Sequence, residues 1–551
     1  MKTELPRHVI VAAVLLSCAP GLAPAQTSLQ IVQQIGTVFV IPLENHNFTQ
    51  PNPTSSPQQI KGNVAAPFVN SLITPGNANA AHVSYATKYY NAGLGVHPSE
   101  PSYVWSEAGT TFGVLTDNDP SAGSGNIFNA PHLTRQLNAA GISWRDYQED
   151  VQLSSSPTVS ASGTSSTVTN PYNHSHQYGY AVKHNPMAFF SDTQTQNVYP
   201  LARFFTDLTN NAVGRYNWIT PDLYNEMHSA LSAGFTYHGT AYTGDQAAVA
   251  EGDNFLAIVI PQIMASRAYQ NNGVIIIWTD ESEGGDTTSY PLPEIIISPL
   301  AKGNAYASTV VMSHSSDLRT MEELFGLSFV TNAIPAAEVA ATGGYYYVTN
   351  ANDLSDLLQA VPAMGLQQPA NSNLTSGVSV VNFGTLNTGS GLSKSFLVTN
   401  SGLATLNLTA ASITGVNAGD FKVSGMTFPA AVAAGRSTAF NVAFSPTAGG
   451  VRSAMLQITN SDSSHNRDPF TVTLTGAGLG SLSGELGAGG YQLAFTAAAG
   501  QTYRVLATEN AAQPLSNWVV LATGVVTTNP VVYLDATALT KQGQFYRVVL
   551  P

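Results

Sequence analysis

Short apolar runs alternate with helix-like patterns between residue 30 and about residue 365. The sequence VIIIW at 274–278 is apolar at every position, which is typical of a strand buried on both faces of a sheet. Apolar runs bounded by turn residues lie at 37–42, 273–278 and 294–298. Helical spacing of apolar residues occurs at 131–140, 253–268 and 317–325. Strands that alternate with helices predict an α/β fold in which helices sandwich a mainly parallel sheet.

The pattern changes near residue 366. Residues 366–374 are polar and predict a linker, whereas 375–477 contain short alternating runs between Gly, Asn and Ser turns. Alternating runs without intervening helices predict a β-sandwich. Residues 480–551 repeat this kind of pattern and predict a second all-β domain. The chain is therefore predicted to have an α/β domain over 30–365 followed by two all-β domains.

The N-terminus has the features of a signal peptide over residues 1–25. Lys2 and Arg7 precede the apolar run 9–16, which is too short to span a bilayer. The sequence Ala-Pro-Ala at 23–25 is a cleavage site before Gln26. No later stretch reaches about 18 uninterrupted apolar residues, so no transmembrane segment is predicted. These features predict an exported protein that is periplasmic, at the cell surface or extracellular.

Composition narrows the function classes. Of the 551 residues, 43% are hydrophobic, which is enough to build a large core. The net charge is −13, so no basic surface is expected and general nucleic-acid binding is excluded. The single cysteine, Cys18, lies in the predicted signal peptide. The mature chain is therefore predicted to use neither disulfides nor cysteine chemistry.

Two adjacent carboxylates follow the most apolar run of the chain. Asp280 and Glu281 come directly after VIIIWT, and Glu44 and Asn45 follow the run at 37–42. Like charges side by side repel, and a bound cation is the simplest way to keep both ionised. Carboxylate and amide oxygens are also the ligands that hard cations prefer. Because the ends of parallel strands form the site in an open sheet, these residues are candidates for one metal site.

Serine and histidine residues supply the remaining candidate chemistry. Ser99 lies between two prolines, and a serine hydroxyl is a weak nucleophile until a base or a metal activates it. Asp222 and His228 lie on a predicted loop, and His314 precedes a predicted helix. Taken singly, each segment is also typical of a polar turn or a capping residue. Their joint order along the chain is what points to a single site.

That order is similar to the ligand order of the alkaline phosphatase superfamily. More closely, the chain resembles the phosphoesterase family that contains bacterial acid phosphatases and phosphatidylcholine-type phospholipases C. The resemblance spans about 37–330. The matching segments include PLENHNF (42–48), HPSEPSYVWSEAG (97–109), YAVKHNPMAFFSD (180–192), ITPDLYNEMHS (219–229), WTDESEGGD (278–286) and SHSSDLRTMEELFGL (313–327).

The resemblance implies an alkaline-phosphatase-like sheet and a role for each matching residue. Ser99 has the position of a nucleophile that becomes phosphorylated, and the further catalytic candidates are His228 and His314. The implied metal ligands are Glu44, Asn45, Asp280, Glu281 and, at a second-metal or phosphate-contact position, Asp222. The implied substrate-binding residues are His184, Asn185 and Ser102. The implied cofactor is a divalent metal ion, one or two per site.

The resemblance predicts a secreted, metal-dependent enzyme that hydrolyses phosphate monoesters. The segment ENHNF is closer to the phosphatase-like branch than the ENRSF form of the phospholipases. A phospholipase C-type diesterase acting on phospholipids is the alternative. A surface-binding protein with an inactive phosphoesterase domain is a further alternative. It is disfavoured because Glu44, Ser99, Asp280 and His314 are all present.

The two C-terminal domains carry no catalytic constellation. Residues 375–477 resemble the Hydin-type immunoglobulin-like module of exported bacterial proteins, through segments such as FNVAFSPTAGG and LTGAG. Residues 480–551 resemble C-terminal β domains of secreted proteins. This resemblance implies attachment to a cell surface or to polysaccharide, by analogy of fold alone.

Overall fold

The computed structural model describes residues 27–550 except 94, 122, 154–155, 283–286, 288, 331–347 and 463–466. The predicted signal peptide and Cys18 therefore lie outside the described residues. The N-terminal unit contains the strands β1 Val38–Leu43, β2 Val83–Ala86, β3 Tyr89–Tyr90, β4 Trp144–Gln148, β5 Ala161–Thr164, β6 Gln177–Tyr180, β7 Val198–Pro200, β8 Tyr216–Thr220, β9 Phe235–Tyr237, β10 Thr240–Tyr242, β11 Val274–Thr279, β12 Glu294–Ile297, β13 Tyr306–Ser308 and β14 Met312–Ser313.

Eight of these strands form one mixed sheet in the order β13-β2-β12-β11-β1-β8-β4-β7. The strands β11, β1, β8, β4 and β7 are parallel to their neighbours in this series. Strand β12 is antiparallel to both β11 and β2. A parallel connection needs a crossover, usually a helix, and the described residues of 280–293 form no helix. The short connection therefore accounts for the reversed strand, which the all-apolar pattern alone did not predict.

Helices cover both faces of this sheet. They are α1 Ser28–Val32, α2 Pro67–Leu72, α3 Ser99–Ala108, α4 Leu133–Ala139, α5 Leu201–Thr209, α6 Asp245–Ala265, α7 Arg267–Gln270 and α8 His314–Phe325. Alternate residues of β1 enter different cores, because successive side chains of a strand point to opposite faces. Phe39 and Ile41 pack with residues of α2, α5 and α6. Val38 and Val40 pack with residues of α1, α3, α4 and α8. The sheet is therefore sandwiched by helices, as the sequence predicts.

Helix α6 is the single helix among the described residues that is long and apolar enough to cross a membrane. About two thirds of its apolar window is buried inside the protein, against the sheet. It begins earlier than the predicted helix at 253–268, and Ser266 separates it from α7. Ser266 has an extended backbone and caps α7 by accepting a hydrogen bond from the Tyr269 amide, so the helical pattern continues in sequence but not in the backbone.

The second unit is built from two five-stranded sheets. Its strands are β15 Met364–Gln367, β16 Asn373–Leu374, β17 Val380–Asn387, β18 Leu392–Asn400, β19 Leu406–Thr414, β20 Phe421–Ser424, β21 Ala430–Val432, β22 Ser437–Phe444, β23 Gly450–Asn460 and β24 Phe470–Leu479. The sheet orders are β16-β15-β18-β22-β20 and β17-β24-β23-β19-β21. Alternate residues, such as Phe396 and Val398 of β18, fill the core between the sheets.

The structure differs from the predicted linker at 366–374. Strand β15 pairs antiparallel with both β18 and β16, so it belongs to the sandwich. Met364 and Leu366 are each 1% exposed, in the sandwich core. The polar residues that suggested a linker form the turn of a short hairpin between β15 and β16.

The third unit contains two three-stranded sheets, β25-β26-β29 and β28-β27-β30. Its strands are β25 Leu482–Gly487, β26 Gly490–Phe495, β27 Thr502–Thr508, β28 Val519–Val525, β29 Val531–Asp535 and β30 Phe545–Val549. Its small core shares Ala477 and Leu479 with the end of β24.

Candidate active site

Three neighbouring parallel strands deliver carboxylates to one edge of the sheet. Glu44 follows β1, Asp280 follows β11, and Glu226 lies in the loop after β8. All three residues are 0% exposed. The carboxyl ends of parallel strands meet at the same edge, which is why acids from distant parts of the sequence lie together here.

Ser99 is the first residue of α3, and its hydroxyl lies among these carboxylates. Its Oγ donates to Glu44 Oε2 at 3.0 Å and has Glu281 Oε1 as a second acceptor at 3.2 Å. The Lys183 ammonium donates to the same Oγ at 3.3 Å. A helix N-terminus carries a partial positive charge. Ser99 is therefore flanked by proton acceptors and by positive charge, which suits a serine that attacks an anionic substrate.

Asn45 lies between two of the acids. In one orientation of its amide, the nitrogen donates to Glu44 Oε2 at 3.0 Å and to Asp280 Oδ1 at 2.9 Å. In the other orientation, the amide oxygen occupies that place and faces the two carboxylate oxygens. Oxygens of neighbouring ligands face one another in this way around a hard cation, where they lie roughly 3 Å apart. The backbone amide of Asn45 also donates to Asp280 Oδ1, at 3.1 Å.

Glu44 faces a second cluster on the side away from Ser99. Glu44 Oε1 lies 3.0 Å from His184 Nε2, and His184 Nδ1 lies 2.8 Å from Glu226 Oε2. Glu44 Oε1, His184 Nε2 and Glu226 Oε2 are buried and make no hydrogen bond of acceptable geometry within the described residues. Burial raises the pKa of Glu226 to about 8 and lowers the pKa of His184 to about 4. The cluster thus places buried acids beside a neutral imidazole.

The acids around Ser99 are also costly to keep ionised. Burial raises the pKa of Glu44 above its usual value. Burial, together with the neighbouring Glu44 and Glu281, raises the pKa of Asp280 well above its usual value. A cation would remove this penalty, because an opposite charge favours the ionised carboxylate.

A cleft of about 400 Å³ opens onto Ser99. It is lined by Asn45, His97, Pro98, Ser99, Asp117, Lys183, His228, Glu281 and Ser282. His228 is exposed at this cleft, and the His97 ring is hydrogen-bonded through Nδ1 to Glu281 Oε2. The predicted catalytic residues Ser99 and His228 therefore share one solvent-open cleft with the predicted ligands Asn45 and Glu281.

Lys183 is the principal cleft residue without a predicted role. Its ammonium donates to Asp117 Oδ2 at 2.9 Å as well as to Ser99. Burial lowers the pKa of Lys183, but the carboxylates of Glu44 and Asp117 outweigh this and raise it above its usual value. The ammonium is therefore charged at neutral pH. Lys183 belongs to the KHNP segment at 183–186, in which the resemblance assigns roles only to the neighbouring His184 and Asn185.

The three predicted substrate-binding residues do not line the cleft. His184 points between Glu44 and Glu226, as described above. Asn185 is 0% exposed, and its amide donates to Tyr180 at 3.1 Å. Ser102 is also 0% exposed, and its hydroxyl lies 3.3 Å from Asn91 Oδ1 and from the Val96 carbonyl. Their positions do not support direct contact with a substrate, because protein atoms surround each side chain.

His314 is likewise held inside the protein. Its Nε2 lies 2.5 Å from the Asp280 carbonyl oxygen, and its Nδ1 lies 2.7 Å from the Tyr89 hydroxyl. Tyr89 in turn donates to Asp317 at 2.7 Å. The position of His314 does not support a role as general acid at the cleft. It supports a positioning role, because the ring contacts the backbone of the candidate ligand Asp280.

Asp222 lies in a separate acidic cluster with Glu149 and Asp150. One oxygen from each of the three carboxylates lies within 4.8 Å of the others. Asp222 is not among the residues that line the cleft at Ser99. Its predicted place at a second-metal or phosphate-contact position of that cleft is therefore not supported, although the cluster has the spacing to hold a cation.

The donor set beside Ser99 fits a divalent metal ion. Glu44, Asn45, Asp280 and Glu281 offer carboxylate and amide oxygens at one sheet edge. The buried oxygens of Glu44 and Glu226 without a hydrogen-bond partner point to a missing positive charge. The group of Glu44, His184 and Glu226 also has the spacing to hold an ion.

The chain is similar to two known protein families and to known phosphatases. The model of the phosphoesterase family matches residues 44–328, and the model of the HYDIN/CFA65/VesB-like Ig-like domain matches residues 374–477. A phosphatidylinositol-3-phosphatase of Mycobacterium tuberculosis is 26% identical over 334 residues, which are 60% of this chain and 91% of that protein. A phosphate-repressible acid phosphatase of Penicillium chrysogenum is 26% identical over 200 residues, which are 35% of this chain and 40% of that protein.

Among solved structures, one similar protein is a member of the alkaline phosphatase superfamily from Vibrio parahaemolyticus. The match has 10% identity and a TM-score of 0.33, and it covers 53% of this chain and 67% of that one.

Proposed function

Because this chain belongs to the phosphoesterase family, whose members are hydrolases of phosphoric ester bonds, we propose that it is an exported, metal-dependent phosphomonoesterase with Ser99 as its nucleophile. The observation that carries the proposal is the environment of the Ser99 hydroxyl. Two carboxylate oxygens lie 3.0 and 3.2 Å from Oγ, and an ammonium nitrogen lies 3.3 Å away. Phosphoryl transfer depends mainly on such positioning and charge.

In the proposed first step, Ser99 Oγ bonds to phosphorus as the bond to the ester oxygen breaks. The hydroxyl proton passes to Glu281, which is hydrogen-bonded to His97 at the wall of the cleft. His228, exposed at the same cleft, gives a proton to the leaving alcohol. A water molecule then gives a proton to His228 and its oxygen attacks the phosphoserine, and as the bond from phosphorus to Ser99 Oγ breaks, Oγ takes back the proton from Glu281 and inorganic phosphate forms.

The metal ion would be held by Glu44, Asn45, Asp280 and Glu281. When bound, it lowers the proton affinity of a neighbouring hydroxyl and neutralises charge on phosphate oxygens. The same acids would repel a phosphate dianion if they carried their charge uncompensated. Lys183 supplies a further positive charge, fixed by its contacts with Ser99 and Asp117.

The proposal includes export, supported by the signal-peptide features of residues 1–25, and a periplasmic, cell-surface or extracellular location. Attachment to a surface or to polysaccharide through the third unit is a further part. Metal would then be acquired from outside the cytoplasm.

Hydrolysis of p-nitrophenyl phosphate by purified residues 26–551 tests the proposed function. With a divalent metal present, we expect turnover of this monoester to exceed that of bis(p-nitrophenyl) phosphate by at least about tenfold in kcat/KM, because the cleft offers positive charge to a terminal phosphate. The control is the Ser99→Ala variant on both substrates. A preference for the diester, or for phosphocholine lipids, would favour the phospholipase C-type alternative. No turnover of any ester with any metal would favour an inactive domain.

Replacing Lys183 by methionine is expected to lower kcat/KM for the monoester by about 10²- to 10³-fold, as loss of a fixed transition-state donor does. Methionine keeps most of the buried stem and removes the charge. The matched control is Lys302→Met, because Lys302 pairs with Asp356 elsewhere in the same unit. Steady-state kinetics at saturating metal give the comparison. Equal activity of the two variants would show that Lys183 serves only to hold Asp117.

A further inference from the structure

A second cluster of acids lies at the ends of the neighbouring parallel strands β4 and β8. Glu149 and Asp150 follow β4, and Asp222 follows β8. Their nearest oxygens lie within 4.8 Å of one another, and Glu149 and Asp222 are 5% and 1% exposed. Within the described residues, the ion pairs formed by Lys, Arg and His side chains include none of the three. Three carboxylates are thus gathered in the interior without a protein cation.

Hydrogen-bond donors satisfy one side of this cluster. Asn170 and Asn225 donate to Glu149 Oε1 at 2.7 and 2.9 Å, and the Asp222 amide donates to Glu149 Oε2 at 2.8 Å. The Gly179 amide donates to Asp150 Oδ2 at 3.0 Å. These contacts fix the carboxylates in place and do not neutralise their charge.

One oxygen in the cluster has no donor at all. Asp222 Oδ1 accepts from the Tyr224 amide at 3.1 Å, whereas the buried Oδ2 has no hydrogen-bond partner among the described residues. A buried carboxylate oxygen without a partner is costly. Because Asp222 belongs to the cluster, this oxygen is a second indication, beside the grouping of the acids, that a positive ligand belongs there.

We propose that Glu149, Asp150 and Asp222 bind a divalent cation, Ca²⁺ in particular, at a structural site separate from the Ser99 cleft. All the side-chain ligands are oxygens, and such ligands favour hard cations such as Ca²⁺ over zinc or copper. Ca²⁺ accepts several carboxylates in irregular geometry, as a site assembled from two loops provides.

This cation would connect two segments of the chain, the Ser/Thr-rich segment 151–170 and the segment from Asp222 to His228. Glu149 and Asp150 stand at the start of the Ser/Thr-rich segment 151–170, and Asn170 at its end contacts Glu149. Asp222 begins the segment that continues to Glu226 and His228 of the catalytic region. The cation therefore fixes the two ends of this segment beside the sheet and supports the chain that carries His228.

Calcium binding is measured by isothermal titration of metal-free protein with CaCl₂ in a Glu44→Gln background, which disables the ligand set at Ser99. We expect Asp150→Asn and Asp222→Asn, each added to this background, to remove one equivalent of Ca²⁺ or to weaken its binding by about 10- to 100-fold. Asp150 has a φ of 59°, a conformation that asparagine also adopts, so this variant keeps the backbone. The matched control is Glu251→Gln, a buried carboxylate that accepts from the Leu231 amide.

Thermal unfolding with and without Ca²⁺ provides the second measurement. We expect Ca²⁺ to raise the Tm of the background and of the Glu251→Gln control, and to leave the Asp150→Asn variant unchanged. Calcium binding that is the same with and without Asp150→Asn would overturn the proposal. So would the absence of Ca²⁺ binding in the background, the result expected if Asp150 and Asp222 share a proton. Neither measurement involves turnover, so failure here is distinct from failure of the proposed phosphatase activity.

Discussion

Replacing Ser99 by alanine is expected to lower monoester turnover by at least about 10⁴-fold, the scale on which loss of a nucleophile acts. The hydroxyl is the reacting group. The other serine that lines the cleft, Ser282, has an Oγ without a hydrogen-bond partner among the described residues, so no carboxylate is placed to accept its proton. Alanine favours helix, and the Ser99 side chain does not cap α3. The substitution should therefore leave the fold intact, so that the loss reports on chemistry.

Two measurements separate this loss from misfolding. The matched control is Ser106→Ala in the same helix, where the hydroxyl donates to the Tyr103 carbonyl at 2.6 Å. We expect that control to stay within about tenfold of the unsubstituted chain, since it loses one local hydrogen bond. Acid quenching during turnover should trap phosphoserine in the control and not in Ser99→Ala. A folded, metal-loaded Ser99→Ala protein with comparable turnover would refute the serine mechanism.

The sheet is the part of the fold that the sequence predicts well. The apolar runs at 37–42 and 273–278 correspond to β1 and β11 within one residue at each end. Burial on both faces leaves no room for polar residues, so the run itself marks the strand. The direction of β12 is not predictable in this way, because an apolar run does not show whether a strand is parallel or antiparallel to its neighbours.

The site is predictable where it follows the sheet. Glu44 and Asp280 stand one residue beyond buried strands, and strand ends converge, so their meeting at Ser99 follows from the topology. Lys183 lies in a single 3-10 turn, Val182–His184, that follows β6, and no periodicity of the sequence fixes where its side chain points. Lys183 and His184 are adjacent, yet one faces the cleft and the other lies between Glu44 and Glu226. The resemblance of the segment did not determine which of its residues lines the cleft.

The placement of His314 also depends on contacts that are distant in sequence. A histidine just before a helix is compatible with a catalytic role and with a structural one. Its two ring nitrogens are both engaged, one by a backbone carbonyl beyond β11 and the other by Tyr89. Only the packing of α8 against α3 and the sheet brings these partners together, and neither partner is near His314 in sequence.

Removal of the metal, or the Glu44→Gln substitution that weakens its binding, is expected to cause the second large loss of turnover. Exhaustive chelation is expected to abolish turnover, and a divalent metal should restore it. Glu44→Gln should lower kcat by about 10³-fold at a metal concentration that saturates the unsubstituted chain. This corresponds to the several kcal/mol, here about 4, that a catalytic metal provides.

Glu44→Gln is expected to have this large effect because the Glu44 carboxylate contacts both the nucleophile and the other candidate metal ligands. Glu44 Oε2 contacts Ser99 and the Asn45 amide, while Oε1 faces His184. Glutamine keeps the shape and removes the charge, so metal affinity should fall more than stability. The burial penalty on the Glu44 charge even favours the neutral side chain in the metal-free fold.

Metal content, turnover and Tm together test this expectation, with Glu251→Gln as the control for loss of a buried carboxylate. We expect Glu44→Gln to bind less metal, to unfold at a similar or higher temperature without metal, and to regain little activity on metal addition. Full activity after chelation to negligible metal content would contradict the metal requirement. Unchanged metal affinity in Glu44→Gln, with activity lost, would instead assign Glu44 to proton transfer from Ser99, which it contacts directly.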